Sequence, residues 1–223
     1  MQINQVNLFA GDLTEMIDFY ADHLGFKLKE NNRDRMTVRI GTSLLTFLKQ
    51  EMRIKPVYHF ALTIPGSLFV SAKQWIKTKV TLNKEGNEDE VFFKFLNARS
   101  FYFNDPAGNI VEFIARENCL SDKKSFSIDD VTGISEINLT VKDVLRAGQL
   151  LNKQGYYPLK NEQLNERTLN FIGDFHAYFL LGPTHRTWFF SNKASVISPL
   201  TIDLDDGITV QVDQEGKLAV VRA

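Results

Sequence analysis

The sequence has a single cysteine, Cys119, among 223 residues. One thiol cannot close an internal disulfide, and it cannot build a Cys₂His₂ or Cys₄ zinc site. There is no excess of either charge, with 26 Lys+Arg against 27 Asp+Glu. Nor do the signs segregate: residues 1–118 carry 15 basic and 14 acidic groups, and residues 119–223 carry 11 and 13. A nucleic-acid binder needs a basic surplus to displace counterions, so nucleic acid is not an expected partner. A polybasic membrane anchor is also missing. No apolar run reaches the roughly 18–20 residues that cross a bilayer. The opening residues lack a basic stretch followed by an apolar one, so no signal peptide is expected. The reading is a protein of a reducing compartment, most simply the cytoplasm.

What is present is ordinary globular composition, 43% hydrophobic and 24% charged, at a length of one or two domains. Phenylalanine is the outlier at 18 residues. Many of these lie in strand-like runs, which points to aromatic-rich sheets.

The chain repeats itself. Ile3-Asn4-Gln5-Val6-Asn7-Leu8 matches Ile134-Ser135-Glu136-Ile137-Asn138-Leu139, and each is followed by an Asp nine residues after its Ile, Asp12 and Asp143. Each copy then runs through a helical pattern to a glycine, Gly25 or Gly155. A third, fainter copy begins at Val57–Leu62 and enters its helix through Pro65-Gly66-Ser67. Leu13, Met16, Ile17, Tyr20 and Leu24 share one helical face, Asp12 suits the cap, and Gly25 suits the left-handed stop. Two more helices are predicted over about 68–80 and 144–151. Strands follow each helix: 26–30, 35–41 and 43–49; 91–96, 100–104 and 109–115; 156–160, 168–173 and 176–182. The tail from 187 reads as strands only, at 188–191, 199–204, 207–213 and 217–222. The unit is therefore βαβββ, used three times and followed by a helix-less fourth. The expected fold class is α+β, with curved mixed sheets around an open cavity. The expected domains are residues 1–116 (units 1–54 and 55–116), a linker over 117–132, and a degenerate second half over 133–223 (unit 133–183 plus tail 184–223).

Strand alternation sorts the polar side chains. In 57–64, Tyr58, Phe60, Leu62 and Ile64 form an apolar face that packs on helices. His59 then lies on the opposite side of the sheet. A turn over 105–109 makes 102 and 112 direct partners, so Tyr102 and Glu112 are neighbours on one face. A carboxylate inside Ile-Val-Glu-Phe-Ile must face water, a cation or hydrogen-bond donors. Taken alone, the residues give an aromatic-rich repeated α+β protein with Gln5, His59 and Glu112 on strands.

Three stretches carry a resemblance to a known family: Ile3–Leu8 leading to Asp18-Phe19-Tyr20 and Leu24-Gly25-Phe26; Tyr58-His59-Phe60-Ala61; and Ser100–Phe113, where an aromatic strand, an Asp-Pro-Ala-Gly turn and a Glu-bearing strand occur in order. They are similar to the vicinal oxygen chelate superfamily, which includes glyoxalase I, bleomycin-resistance proteins, extradiol dioxygenases and fosfomycin-inactivating transferases. The likeness covers 1–116 well, 134–182 weakly and the tail hardly at all.

The resemblance implies a divalent metal (Zn, Ni, Mn or Fe) held by Gln5, His59 and Glu112, with open positions for substrate oxygens. It implies Tyr102 as a substrate contact and proton donor. Strand faces add two further candidate substrate contacts: Asn7, on the face of Gln5, and Arg39, on the face away from Met36, Val38 and Ile40. Glu136 stands at the first-strand position of the third unit without a matching His or late Glu after it. His176 and His185 are weak candidates for a second site, and Cys119 has no role. Gln5 in place of histidine fits lyase or isomerase chemistry better than ring cleavage. The acid–base Glu expected on the last strand of the first unit is absent from Ser43–Leu48. The implied function is a metal enzyme acting on a small oxygen-chelating molecule, and the alternative is a metal-free, bleomycin-resistance-like binding protein. Pairing of units within one chain and swapping within a homodimer both remain open.

Overall fold

The computed structural model describes residues 1–51 and 55–222. Fourteen strands form two seven-stranded mixed sheets. The first unit supplies β1 (Ile3–Ala10), β2 (Lys27–Asn31), β3 (Arg35–Ile40) and β4 (Ser43–Lys49). The second supplies β5 (His59–Pro65), β6 (Val91–Phe93), β7 (Ala98–Asn104) and β8 (Ile110–Arg116). The third supplies β9 (Gly133–Thr140), β10 (Asn170–Gly173) and β11 (Tyr178–Gly182). The tail supplies β12 (Leu200–Leu204), β13 (Ile208–Val212) and β14 (Leu218–Arg222). The helices are α1 (Leu13–Ile17), which continues as a π-type turn over Asp18–His23, α2 (Phe69–Lys77) and α3 (Val144–Asn152). No helix among the described residues is long and apolar enough to cross a membrane.

The local signals behave as the sequence predicts. The Asp12 carboxylate accepts from the amides of Thr14 and Glu15, and Asp143 accepts from that of Arg146, which satisfies donors the first helical turn leaves free. Gly25 and Gly155 take φ of 89° and 92°, the left-handed stop that favours glycine. In the 105–109 turn, Asp105 accepts from the backbone and side-chain nitrogens of Asn109 and from the Tyr20 hydroxyl. This cluster holds β7 and β8 in the expected register, with Tyr102 opposite Glu112.

The units combine across the length of the chain. One sheet runs β14-β13-β12-β1-β4-β3-β2 and the other β10-β11-β9-β5-β8-β7-β6. The first unit therefore joins the tail, and the second joins the third. Each sheet takes strands from both sides of the 117–132 segment. Where the linker arrives, Gly41 leaves room for it: a Cβ there would stand 2.2 Å from the Thr132 carbonyl. The Ser43 hydroxyl then accepts from the Ile134 amide and donates to the Ile3 carbonyl, fastening one sheet to the other.

Three strand expectations change. The run at 91–96 is a strand only to Phe93. Residues 156–160 form no strand; Pro158 bridges to Ile172, and a short 3₁₀ turn follows at Leu159–Asn161. Residues 188–191 belong to a looped strap closed by a bridge between Thr187 and Ala194.

A single large core lies between the sheets and takes in the helices. It includes Val6 and Leu8 from one sheet and Tyr58, Phe60, Leu62 and Ile64 from the other. Phe101, Phe103 and Phe113 are fully buried there in mutual contact, with centroids 5.4–5.6 Å apart along the chain of rings. Each contributes roughly 2–3 kcal/mol of burial. These phenylalanines belong to the core, while Phe93 and Phe95 turn to the opposite face, where the cavity lies.

Candidate metal centre

The centre of the second sheet brings three ligand-capable groups together: His59, Glu112 and Glu136, all buried, with one ligand atom of each within 4.8 Å of the others. Backbone register explains this. β5 lies between β8 and β9, and Ala61 is the register partner of Glu112 on one side and of Glu136 on the other. His59 is two residues earlier and therefore on the same face. The small side chain of Ala61 leaves the space between the two carboxylates open. Glu136 reaches this face through a β-bulge, a register shift against Ala61/Leu62. Ile134 and Ile137 both enter the core, so the two residues between them, Ser135 and Glu136, turn the other way.

The row continues outward on both sides. Tyr102 pairs with Glu112, and Tyr178 pairs with Glu136. Tyr178–Glu136–Ala61–Glu112–Tyr102 thus runs across five strands. The Tyr178 hydroxyl donates to Glu136 Oε1. Burial, reinforced by the neighbouring carboxylates, pushes both tyrosine hydroxyls well above their ordinary range and keeps them protonated donors.

His59 has a fixed orientation. Its Nδ1 is 3.1 Å from the Ile110 carbonyl, an acceptor only, so Nδ1 donates there. That leaves Nε2 facing inward, 3.3 Å from Glu112 Oε2. Glu112 Oε1 is buried without a hydrogen-bond partner. Burial, and then the negative charge of Glu112, pushes Glu136 up to about 8. Two carboxylates and an imidazole nitrogen facing one another out of water call for a cation or shared protons.

Over this row lies a cavity of about 730 Å³. Its walls are largely aromatic, including Phe93, Phe95, Phe171, Trp188 and Phe189. Trp188 lies 5.1 Å from the His59 ring, and Phe190 stacks on Tyr102 at 4.9 Å. Both come from the strap, which Lys193 ties to the end of β7 and to the turn after it by donating to Asn104 Oδ1 and to the Gly108 carbonyl. Glu162, Arg167 and Arg186 also line the cavity, and the Arg186 guanidinium sits 4.6 Å above Trp188.

Of the residues expected at the site, His59, Glu112 and Tyr102 are brought together. Gln5 is not: it lies on β1 in the other sheet, where its amide donates to Asn7 and Thr46. Glu136 stands beside His59 and Glu112 instead. Asn7 and Arg39 also lie in that other sheet and do not line the cavity. His176 and His185 are exposed in loops. Glu136, Tyr178 and Trp188 are additions. The signal for Glu136 is present in the sequence, since Ile134 and Ile137 break strict alternation around it, which is how a bulge reads.

A family model described as Glyoxalase/Bleomycin resistance protein/Dioxygenase superfamily matches residues 2–113. A second, Toxoflavin-degrading enzyme, matches residues 134–186. No curated protein matches the sequence significantly. Among solved structures, a putative dioxygenase from Bacillus subtilis subsp. subtilis str. 168 superposes with a TM-score of 0.62 at 16% identity, over 99% of this chain and 84% of that one. This is a likeness of fold across the whole chain. A lactoylglutathione lyase from Agrobacterium tumefaciens matches at TM-score 0.41 and 18% identity, over 51% of this chain and 92% of its own.

Proposed function

Because the chain belongs to the glyoxalase/bleomycin resistance protein/dioxygenase superfamily, we propose that it is a divalent-metal enzyme acting on a small, planar, oxygen-chelating molecule. The observation that carries this is the buried group His59, Glu112 and Glu136. The donor set fits a metal ion: an imidazole nitrogen oriented by Ile110, and two carboxylates, one with an oxygen that has no partner. Two carboxylates with one histidine suit an ion that favours oxygen ligands, Mn(II) or Fe(II) ahead of softer metals. Bound there, such an ion would supply Lewis acidity towards substrate oxygens.

The chain's own residues do the rest. Trp188 and the phenylalanines grip a flat ligand and exclude water from the row below. Tyr102, at the cavity floor beside Glu112, is held as a protonated donor within reach of the ligand. Tyr178 fixes one oxygen of Glu136. The match of residues 134–186 to a degrading enzyme covers both Glu136 and Tyr178 and supports an enzymatic reading. The aromatic walls would equally serve a metal-free binding protein, but that reading leaves two buried carboxylates facing each other without purpose.

Metal analysis of the purified protein tests the proposal. The expected result is one divalent ion per chain, lost in His59→Ala, Glu112→Gln and Glu136→Gln. A wild type that takes up no metal, or variants that take it up equally well, would refute it.

A further inference from the structure

Behind the carboxylates lies a guanidinium with no hydrogen-bond partner. Arg116 ends β8, is 8% exposed, and by alternation lies on the same face as Glu112. None of its three nitrogens makes a hydrogen bond. Its nearest anion is Glu136 Oε1 at 3.7 Å, and its guanidinium carbon is 5.7 Å from the Tyr178 ring centroid. The hydroxyls of Thr63, Ser100 and Ser135 are likewise buried without partners. Arginine does not shed its proton in a protein, so this is a fixed positive charge. Burying it with so few partners is costly.

The charge has a use at the centre. Two carboxylates neutralise a divalent ion completely. A neutral centre has no electrostatic reason to favour an anionic ligand over a neutral one. One further positive charge beside Glu136 restores that preference. Arg116 does not line the cavity, so it acts through Glu136 and not by touching a ligand. The other charged groups at the cavity are Glu162, Arg167 and Arg186. The first two are exposed and of opposite sign, so their effect is small and screened. Arg186 is stacked over Trp188 in the wall and adds a positive charge in the same sense as Arg116, but it makes no contact with Glu136.

We propose that Arg116 is a positioning residue that sets the charge of the bound ligand. It makes the centre favour a ligand bound as an anion over a neutral one. This rests on the metal reading above.

The test uses the full chain loaded with Co(II), whose visible bands report changes in its ligands. Two probes are titrated: acetohydroxamate, which binds as a monoanion through two oxygens, and imidazole, which binds neutral. Arg116→Gln is expected to weaken acetohydroxamate at least about tenfold, and to leave imidazole within about threefold. Arg116→Lys, which keeps the charge, is expected to restore acetohydroxamate to within about threefold of wild type. Equal weakening of both probes, or of neither, overturns the proposal. So does an Arg116→Gln protein that no longer takes up Co(II), since Arg116 would then serve to build the site. A wild type without Co(II) uptake fails before any probe is added, and overturns the metal reading together with this one.

Discussion

Glu112 and Glu136 stand opposite the same residue, Ala61, one on each neighbouring strand. Sheet register, and not proximity in sequence, brings these two carboxylates within 4.8 Å of each other and of His59. The space above Ala61 is where a cation would sit.

Filling that space should empty the site. Ala61→Leu is expected to abolish metal uptake while the chain still folds, at an overpacking cost of about 1–3 kcal/mol. Metal content and a thermal melt, measured on the same preparation, check this. Undiminished metal in a folded Ala61→Leu protein would mean the ion binds elsewhere.

The choice between Gln5 and Glu136 is sharp. Gln5→Ala removes an amide bonded only within its own sheet. It should leave metal stoichiometry unchanged, whereas Glu136→Gln should lower affinity by two orders of magnitude or about 3 kcal/mol. Competition with a chromogenic chelator measures both. Loss of metal in Gln5→Ala would restore the first-strand ligand of the first unit.

The metal-free protein should weaken as pH rises. Glu136 is pushed up to about 8 in the fold against 4.5 for an ordinary glutamate. Between those values the folded chain holds a proton that the unfolded chain has released. Its contribution to stability is therefore complete below about 4.5 and is lost as pH climbs through about 8. The urea midpoint of metal-free wild type should fall from pH 5 to pH 9, and Glu136→Gln should flatten that fall. A fall of the same size in the variant would assign it to another group.

The Asp105 cluster should matter for stability and, through register, for the site. Tyr20→Phe removes one of the donors to a fully buried carboxylate and should cost about 1–3 kcal/mol. Denaturant unfolding at pH 7 reads this directly. A change below about 0.5 kcal/mol would show that Asp105 is satisfied without Tyr20.

Much of this protein is local, and the sequence alone determined it. Asp12 and Asp143 cap helices, Gly25 and Gly155 end them, and alternation puts His59 opposite the apolar face of its strand. The five-residue turn from Asp105 makes Tyr102 the partner of Glu112. Each of these depends on contacts within a few residues, so the spacing of side chains is enough to read them. The pairing of units is different. β1 and β9 open with nearly the same sequence, and the backbone groups along any strand edge are chemically alike. Only the packing of the whole chain decided that β5 takes β9 as its neighbour and β1 takes β12. That long-range choice moved Gln5 to the other sheet and brought Glu136 to Ala61, and with it the composition of the candidate metal centre.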